Sequence, residues 1–135
     1  MSATQTPTER ASAGIAIGAF LLDAAFVVAF AALGRGSHDR EATLAGLFET
    51  AWPFLAGLVI AWLVTLAWRR PVAVWRTGLP VWIGSAGLGL LLRALVGQGT
   101  ALPFVIVATL TLCAMLVGWR LIAALMRVLS ARRAR

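Results

Sequence analysis

Four long apolar runs divide this chain, and they constrain its fold more than any other feature. They cover about residues 13–33, 44–68, 77–96 and 102–125. Each run is long enough to cross a hydrocarbon core of about 30 Å at a helical rise of about 1.5 Å per residue. The runs are continuously apolar and do not alternate, which excludes the strands of a β-barrel. The sequence therefore predicts an all-α polytopic membrane protein, with four transmembrane helices in an up-down-up-down bundle.

Composition and charge agree with a membrane protein and exclude a soluble one. Hydrophobic residues make up 61% of the chain and charged residues 13%, whereas soluble domains carry about 25% charged residues. All the basic residues are arginines, and the net charge is +7. In a soluble protein this charge would indicate binding to nucleic acid. Beside apolar spans it indicates contact between arginines and lipid headgroups. The expected partner is the lipid bilayer, and no binding of nucleic acid is expected. Assembly into a homo-oligomer is an open possibility.

The distribution of arginines predicts how the chain is oriented. Residues 1–12 form a polar tail, residues 13–126 the transmembrane domain and residues 127–135 a basic tail. Nine arginines fall on the side of the two termini and three (Arg35, Arg40 and Arg93) on the other. Because basic residues accumulate in cytoplasmic segments, both termini are predicted to be cytoplasmic in a multi-pass protein of the plasma membrane.

Asp23 is the residue in the first span that most needs an explanation. A carboxylate in the bilayer is costly, at about 2.5–3.5 kcal/mol on insertion scales, so it should face other helices or water. It shares a predicted inward stripe with Ala16, Ala19, Phe26 and Phe30. One interpretation is a site for protons or cations. The other, slightly favoured, is a neutral or hydrogen-bonded acid that fixes helix packing, because loss of hydration disfavours the charged form.

Four other polar residues are candidates for function at the outer end. Glu49 and Arg93 lie at similar depths in spans two and three, where they could form an ion pair, or Arg93 could extend to the headgroups. Arg35 and His38 lie in the outer loop, where the glycines beside Arg35 could expose backbone N–H groups to an anion.

Arg120 is expected to extend from the fourth span to the headgroups, with Trp119 at the inner interface.

These candidates do not make up an enzyme active site. The chain has one histidine and one cysteine, Cys113, too few for a closed zinc site or for axial haem ligation. Ser37 and the adjacent His38 lack the geometry of a catalytic triad. The sequence therefore predicts no catalytic residue, no metal site, no cofactor and no disulfide.

Several short motifs resemble those of a family of short prokaryotic membrane proteins of unknown function, with four predicted spans. They are Gly34-Arg35-x-Ser37-His38, Thr50-Ala51-Trp52-Pro53-Phe54, Trp75 to Gly78, Leu92-Arg93, Gly97-Gln98-Gly99-Thr100 and Trp119-Arg120. The resemblance extends over nearly the whole chain from about Asp23 and implies a fold and a location, but no activity.

Small multidrug-resistance exporters also carry an acid in the first of four spans. Their surrounding motif is absent, and the arginine bias opposes their dual orientation.

Three hypotheses for function follow from these observations. The first is a non-enzymatic membrane protein whose outer polar cluster serves structure or partner binding. The second is a small oligomeric transporter or channel in which Asp23 handles protons or cations. The third and weakest is an enzyme acting on lipid headgroups, which the shortage of acid/base groups opposes.

Overall fold

The computed structural model describes residues 7–36 and 43–135, and the side chains of residues 13–34 and 43–135 within them. The described residues form helices joined by turns, with no strand. The helices are α1 (Pro7–Gly36), α2 (Leu44–Thr65), α3 (Leu79–Leu95), α4 (Leu102–Leu112) and α5 (Gly118–Arg133). A π-helical turn, Val74–Gly78, leads into α3, and a second, Cys113–Val117, joins α4 to α5.

Four helical stretches in the described chain are long and apolar enough to cross a membrane. They are Ala13–Gly34, Leu44–Thr65, Val74–Leu95 and Leu102–Arg133, with mean hydropathies between 1.4 and 2.3. The all-helical prediction with four spans is confirmed. The last helix continues to Arg133, so it includes most of the segment described above as a basic tail. Residues 118–133 are rich in Ala, Leu and Arg, which are strong helix formers.

Local sequence signals explain where α2 begins and ends. Thr43 is its N-cap, and the Thr43 hydroxyl accepts a hydrogen bond from the Gly46 N–H at 3.1 Å, which satisfies one of the free donors of a first turn. At the other end Leu66 adopts a left-handed conformation with φ 52°, a common way for a helix to stop. A short 3₁₀ turn, Ala67–Arg69, follows. The predicted second span therefore ends earlier than Trp68.

The closest helix packing is between α2 and α3, where small residues face each other. A Cβ atom added to Gly57 would lie 2.8 Å from the Gly84 carbonyl oxygen, and one added to Gly84 would lie 2.5 Å from the Ala61 Cβ. The Ser85 hydroxyl donates to the Phe54 carbonyl oxygen at 3.1 Å. Small residues let helices approach closely inside a bilayer, and these two spans use that geometry within one chain.

An aromatic cluster fills the core toward the end where α1 stops and α2 begins. The ring centroids of Phe30 and Phe54 are 5.2 Å apart, edge to face, and each lies 6.3 Å from Phe104. Edge-to-face contact is a favoured arrangement for aromatic pairs. The cluster joins α1, α2 and α4, while α3 packs against both α2 and α4.

Candidate functional site

Asp23 lies fully buried on the inward stripe of α1. Its exposed fraction is 0%, and Ala16, Ala19 and Phe30 on the same face are also buried, with Phe26 half-buried. The structure therefore agrees with the stripe expected from the sequence. It also shows what the sequence did not: the partners that the carboxylate meets there.

Arg120 is the main partner of Asp23, and the two form a bidentate ion pair. Arg120 Nη2 lies 2.7 Å from Asp23 Oδ2, and Nη1 donates to Asp23 Oδ1 at 2.9 Å. Both side chains have an exposed fraction of 0%. The expectation that Arg120 extends to the headgroups was wrong. Pairing with a carboxylate inside the protein replaces the hydration that the guanidinium would otherwise seek at the membrane surface.

Two tryptophans complete the surroundings of the carboxylate. Trp62 Nε1 donates to Asp23 Oδ2 at 3.0 Å, and Trp119 Nε1 donates to Asp23 Oδ1 at 2.8 Å. The Arg120 guanidinium also lies over the Trp119 ring, 4.5 Å from its centroid, within cation–π range. Trp119 was expected at the inner interface, but its N–H is directed to Asp23 because an indole donor inside an apolar protein needs an acceptor.

Backbone carbonyls take up other donors of Arg120. Its Nε donates to the Pro71 carbonyl oxygen at 2.9 Å, and its Nη1 donates to the Leu116 carbonyl oxygen at 2.7 Å. The Arg120 Cδ lies 3.1 Å from where a Cβ on Gly78 would be, so this glycine leaves room for the side chain. The π-helical turn Cys113–Val117 immediately precedes this part of the helix. Such a turn inserts one residue relative to the α-helical register and rotates the residues that follow.

We call Asp23, Trp62, Trp119 and Arg120 the Asp23 cluster. Four N–H groups converge on the two oxygens of Asp23, and an ionised carboxylate can accept all of them. Of the two interpretations from the sequence, this geometry matches the hydrogen-bonded acid that fixes helix packing, with Arg120 as its charged partner. The cluster joins α1, α2 and α5 to the connection at Pro71. It is suited to holding the spans in register.

Glu49 and Arg93 do not form the expected ion pair in the described part of the chain. Arg93 donates to Gln98 Oε1 at 3.0 Å and, from Nε and Nη2, to the Gly99 carbonyl oxygen at 3.2 and 2.9 Å. Its guanidinium lies 4.4 Å from the centroid of the Phe104 ring. Gln98 Nε2 donates to the backbone oxygen of Glu49 at 3.2 Å. Gln98 thus links the two residues, because the turn after α3 folds back over Arg93.

A cavity of about 450 Å³ opens beside Arg93, and we call it the Arg93 cavity. Polar residues and aromatic rings share its wall. The lining residues are Phe30, Ala31, Gly34, Glu49, Thr50, Arg93, Gly97, Gln98, Gly99, Ala101 and Phe104. The structure therefore brings Glu49 and Arg93 to one cavity and places Asp23 in a separate cluster.

The other sequence candidates lie partly or wholly outside the described residues. His38 lies outside them, and Arg35 is described only as backbone at the end of α1. Cys113 is half-buried and makes no disulfide. Across the described residues, no three His, Cys, Asp or Glu side chains are grouped so as to hold a metal ion.

A family model covers most of the chain and includes both of these regions. The model for the protein of unknown function DUF3054 matches residues 20–123. The chain belongs to the DUF3054 family. No curated protein and no solved structure matches it. In this DUF3054 protein the matched segment contains every member of the Asp23 cluster and all residues that line the Arg93 cavity.

The Asp23–Arg120 pair is the feature that sequence reasoning missed. A signal for it was present, because Arg120 interrupts the fourth apolar run just as Asp23 interrupts the first. Ionisable residues inside membrane spans usually pair with one another. An Arg120 at the interface, as expected from the sequence, would be too far from Asp23 to pair with it.

Proposed function

We propose that this DUF3054 protein is a non-enzymatic membrane protein that acts by binding a small polar ligand in the Arg93 cavity. The cavity itself carries the proposal: its volume of about 450 Å³ lies in the range of small-molecule sites, about 300–1,000 Å³. Its wall combines apolar surface with a few polar groups, which is the usual composition of such sites.

The lining residues indicate the chemistry of the ligand. Arg93 offers a guanidinium beside the Phe104 ring, and Thr50, Gln98 and Glu49 add a hydroxyl, an amide and a carboxylate. Phe30 and Phe104 provide aromatic surface. A molecule with an anionic or hydrogen-bonding group at one end and an apolar part at the other fits this set. Among the described lining residues, Glu49 is the one carboxylate, and the remaining polar groups are suited to binding a ligand.

The alternative of a transporter that uses Asp23 has weaker support. The Asp23 carboxylate is fully buried, and donors from two tryptophans and one arginine surround it. A proton or cation carrier needs access to water and an acid that can exchange its partner. The Asp23 cluster instead favours a structural role.

Filling the Arg93 cavity should displace the ligand. Ala101 lines the cavity, whereas Leu102 beside it is 70% exposed and is not part of the lining. We expect native mass spectrometry of the protein, extracted in mild detergent, to show a bound small molecule. Ala101→Trp should lose this adduct because the indole occupies its space, and the matched Leu102→Trp should keep it. Equal adducts in all three proteins, or none in the unchanged protein, would contradict the proposal.

We further propose that the protein spans the plasma membrane with both termini in the cytoplasm. Arg120 no longer counts toward the charge bias, since it is buried, but the remaining arginines still favour this orientation. The Arg93 cavity then opens to the outside. A homo-oligomer stays a prediction.

Cysteine labelling in intact cells tests this orientation. In a Cys113→Ala background, Gly99→Cys should react with a membrane-impermeant maleimide, because a Cβ at Gly99 has nothing within 4 Å. Ser130→Cys, on the exposed end of α5, should react only after permeabilisation. The reverse pattern would place the termini outside, and labelling of both in intact cells would indicate dual orientation.

A further inference from the structure

A second cavity, of about 340 Å³, lies at the opposite end of the protein, beside the connection between α2 and α3. We call it the Arg127 cavity. Among the lining residues whose side chains the structure describes, Arg69, Arg70 and Arg127 are arginines and none is acidic. The described lining residues are Ile15, Trp68, Arg69, Arg70, Pro71, Val72, Ala73 and Arg127.

The wall of this cavity is held in place from inside the protein. Arg120 of the Asp23 cluster donates to the Pro71 carbonyl oxygen at 2.9 Å. The buried Thr77 hydroxyl donates to the Arg70 carbonyl oxygen at 2.6 Å, and the Gly78 N–H donates to the Ala73 carbonyl oxygen at 2.9 Å. These three bonds fix the backbone of the connection, so only the arginine side chains have to order on binding, and such preorganisation favours affinity.

The charges at the Arg127 cavity select for a phosphate. Guanidinium groups match phosphate oxygens through paired, charge-assisted hydrogen bonds. Arg69 and Arg70 come from the connection and Arg127 from α5, so a bound phosphate would be contacted from two separate elements. The cavity volume leaves room for a headgroup larger than one phosphate.

The apolar neighbours of the cavity distinguish a lipid from a soluble anion. Ile15 is 50% exposed and belongs to the first span, and Trp68 is 43% exposed. On α5 Met126 and Val128, the residues beside Arg127 in sequence, are apolar and exposed. A ligand that satisfies both the arginines and this surface has a phosphate joined to acyl chains. Tryptophan side chains also favour the boundary between headgroups and acyl chains.

From this geometry we propose that the Arg127 cavity is a specific binding site for an anionic phospholipid. Arg69, Arg70 and Arg127 contact the phosphate, while the acyl chains lie along Ile15 and Trp68. The site is separate from the Arg93 cavity and does not depend on the function proposed for it. Basic pockets at the ends of membrane helices are known to hold anionic headgroups.

Lipid titration of the purified full-length protein tests this site. We would measure the apparent affinity for phosphatidylglycerol by native mass spectrometry, with phosphatidylcholine and free glycerol phosphate as comparison ligands. The test variant is Arg70→Gln with Arg127→Gln. The matched control is Arg132→Gln with Arg133→Gln, which removes the same charge from α5 outside the cavity. Melting temperatures of all proteins establish that the variants fold, which their exposed positions favour.

Phosphatidylglycerol should bind the unchanged protein more tightly than phosphatidylcholine. In the test variant, binding of phosphatidylglycerol should be about 25-fold weaker, since each arginine contributes about fivefold. Arg127→Gln alone should weaken it about fivefold. The control variant should retain the affinity of the unchanged protein. Equal losses in test and control variants would mean diffuse attraction without a site. If phosphatidylcholine bound as tightly as phosphatidylglycerol, the site would not recognise the anionic headgroup. If free glycerol phosphate displaced phosphatidylglycerol at equal concentration, the ligand would be a soluble phosphate. Each of these three results would overturn the proposal.

Discussion

Replacing Arg120 by methionine is expected to lower the free energy of unfolding by about 3–5 kcal/mol, the usual cost of removing one member of a buried ion pair. The Asp23 carboxylate would remain fully buried without the Arg120 charge, and among the described residues the Trp62 and Trp119 donors would remain. Asp23→Asn should also be strongly destabilising, because the similar shape of asparagine leaves the Arg120 guanidinium unpaired. The free energy can be measured by unfolding in mixed dodecylmaltoside and dodecyl sulfate micelles.

Two control proteins separate the ion pair from general effects. Arg127→Met makes the same substitution at an exposed position of the same helix and should change stability little. The double variant Asp23→Leu with Arg120→Met removes both charges, so it should recover part of the loss of either single change. If Asp23→Asn and Arg120→Met cost no more than Arg127→Met, the Asp23 cluster does not hold the spans together.

Replacing Gly57 by alanine is expected to lower the free energy of unfolding by about 1–3 kcal/mol, the typical cost of overfilling a packed contact. The new methyl group would meet the Gly84 carbonyl oxygen at 2.8 Å and the Ser85 carbonyl oxygen at 3.1 Å. Both are backbone atoms, so the clash is relieved only if α2 and α3 move apart. Unfolding in the same mixed micelles gives the cost.

Gly87→Ala is the matched control for this contact. Gly87 lies on the exposed face of α3, and a Cβ there has nothing within 4 Å. The change should be neutral or slightly stabilising, because alanine is a better helix former than glycine. Equal effects at both glycines would show that the close approach of α2 and α3 contributes nothing beyond helix propensity.

The Asp23 cluster is also bonded to the wall of the Arg127 cavity. Arg120 reaches the Pro71 carbonyl oxygen in the wall of the Arg127 cavity, while Asp23 lies on α1, whose far end lines the Arg93 cavity. Loss of the ion pair should therefore disturb the Arg127 cavity more directly than the Arg93 cavity, since only the former has a wall bonded to the cluster.

Hydropathy by itself determined the class of this protein and the number of its spans. Each apolar run must satisfy its own backbone hydrogen bonds in lipid, so a run of sufficient length becomes a helix whatever its neighbours are. The inward position of Asp23 also followed from the sequence, because a carboxylate is costly against acyl chains. Family membership was evident from short motifs, and the DUF3054 match agrees with it.

Only the tertiary structure decided which polar groups meet. Asp23 and Arg120 are 97 residues apart, and their pairing depends on the relative depth and rotation of α1 and α5, with the π-helical turn before α5 contributing to the rotation. Arg93 donates to Gln98 and to the Gly99 carbonyl oxygen because the turn after α3 brings both within reach. The positions of these residues in the sequence do not reveal this contact. Hydrophobic burial depends on the composition of a segment, whereas a hydrogen bond needs two atoms within about 3 Å. That separation is fixed only when the helices pack.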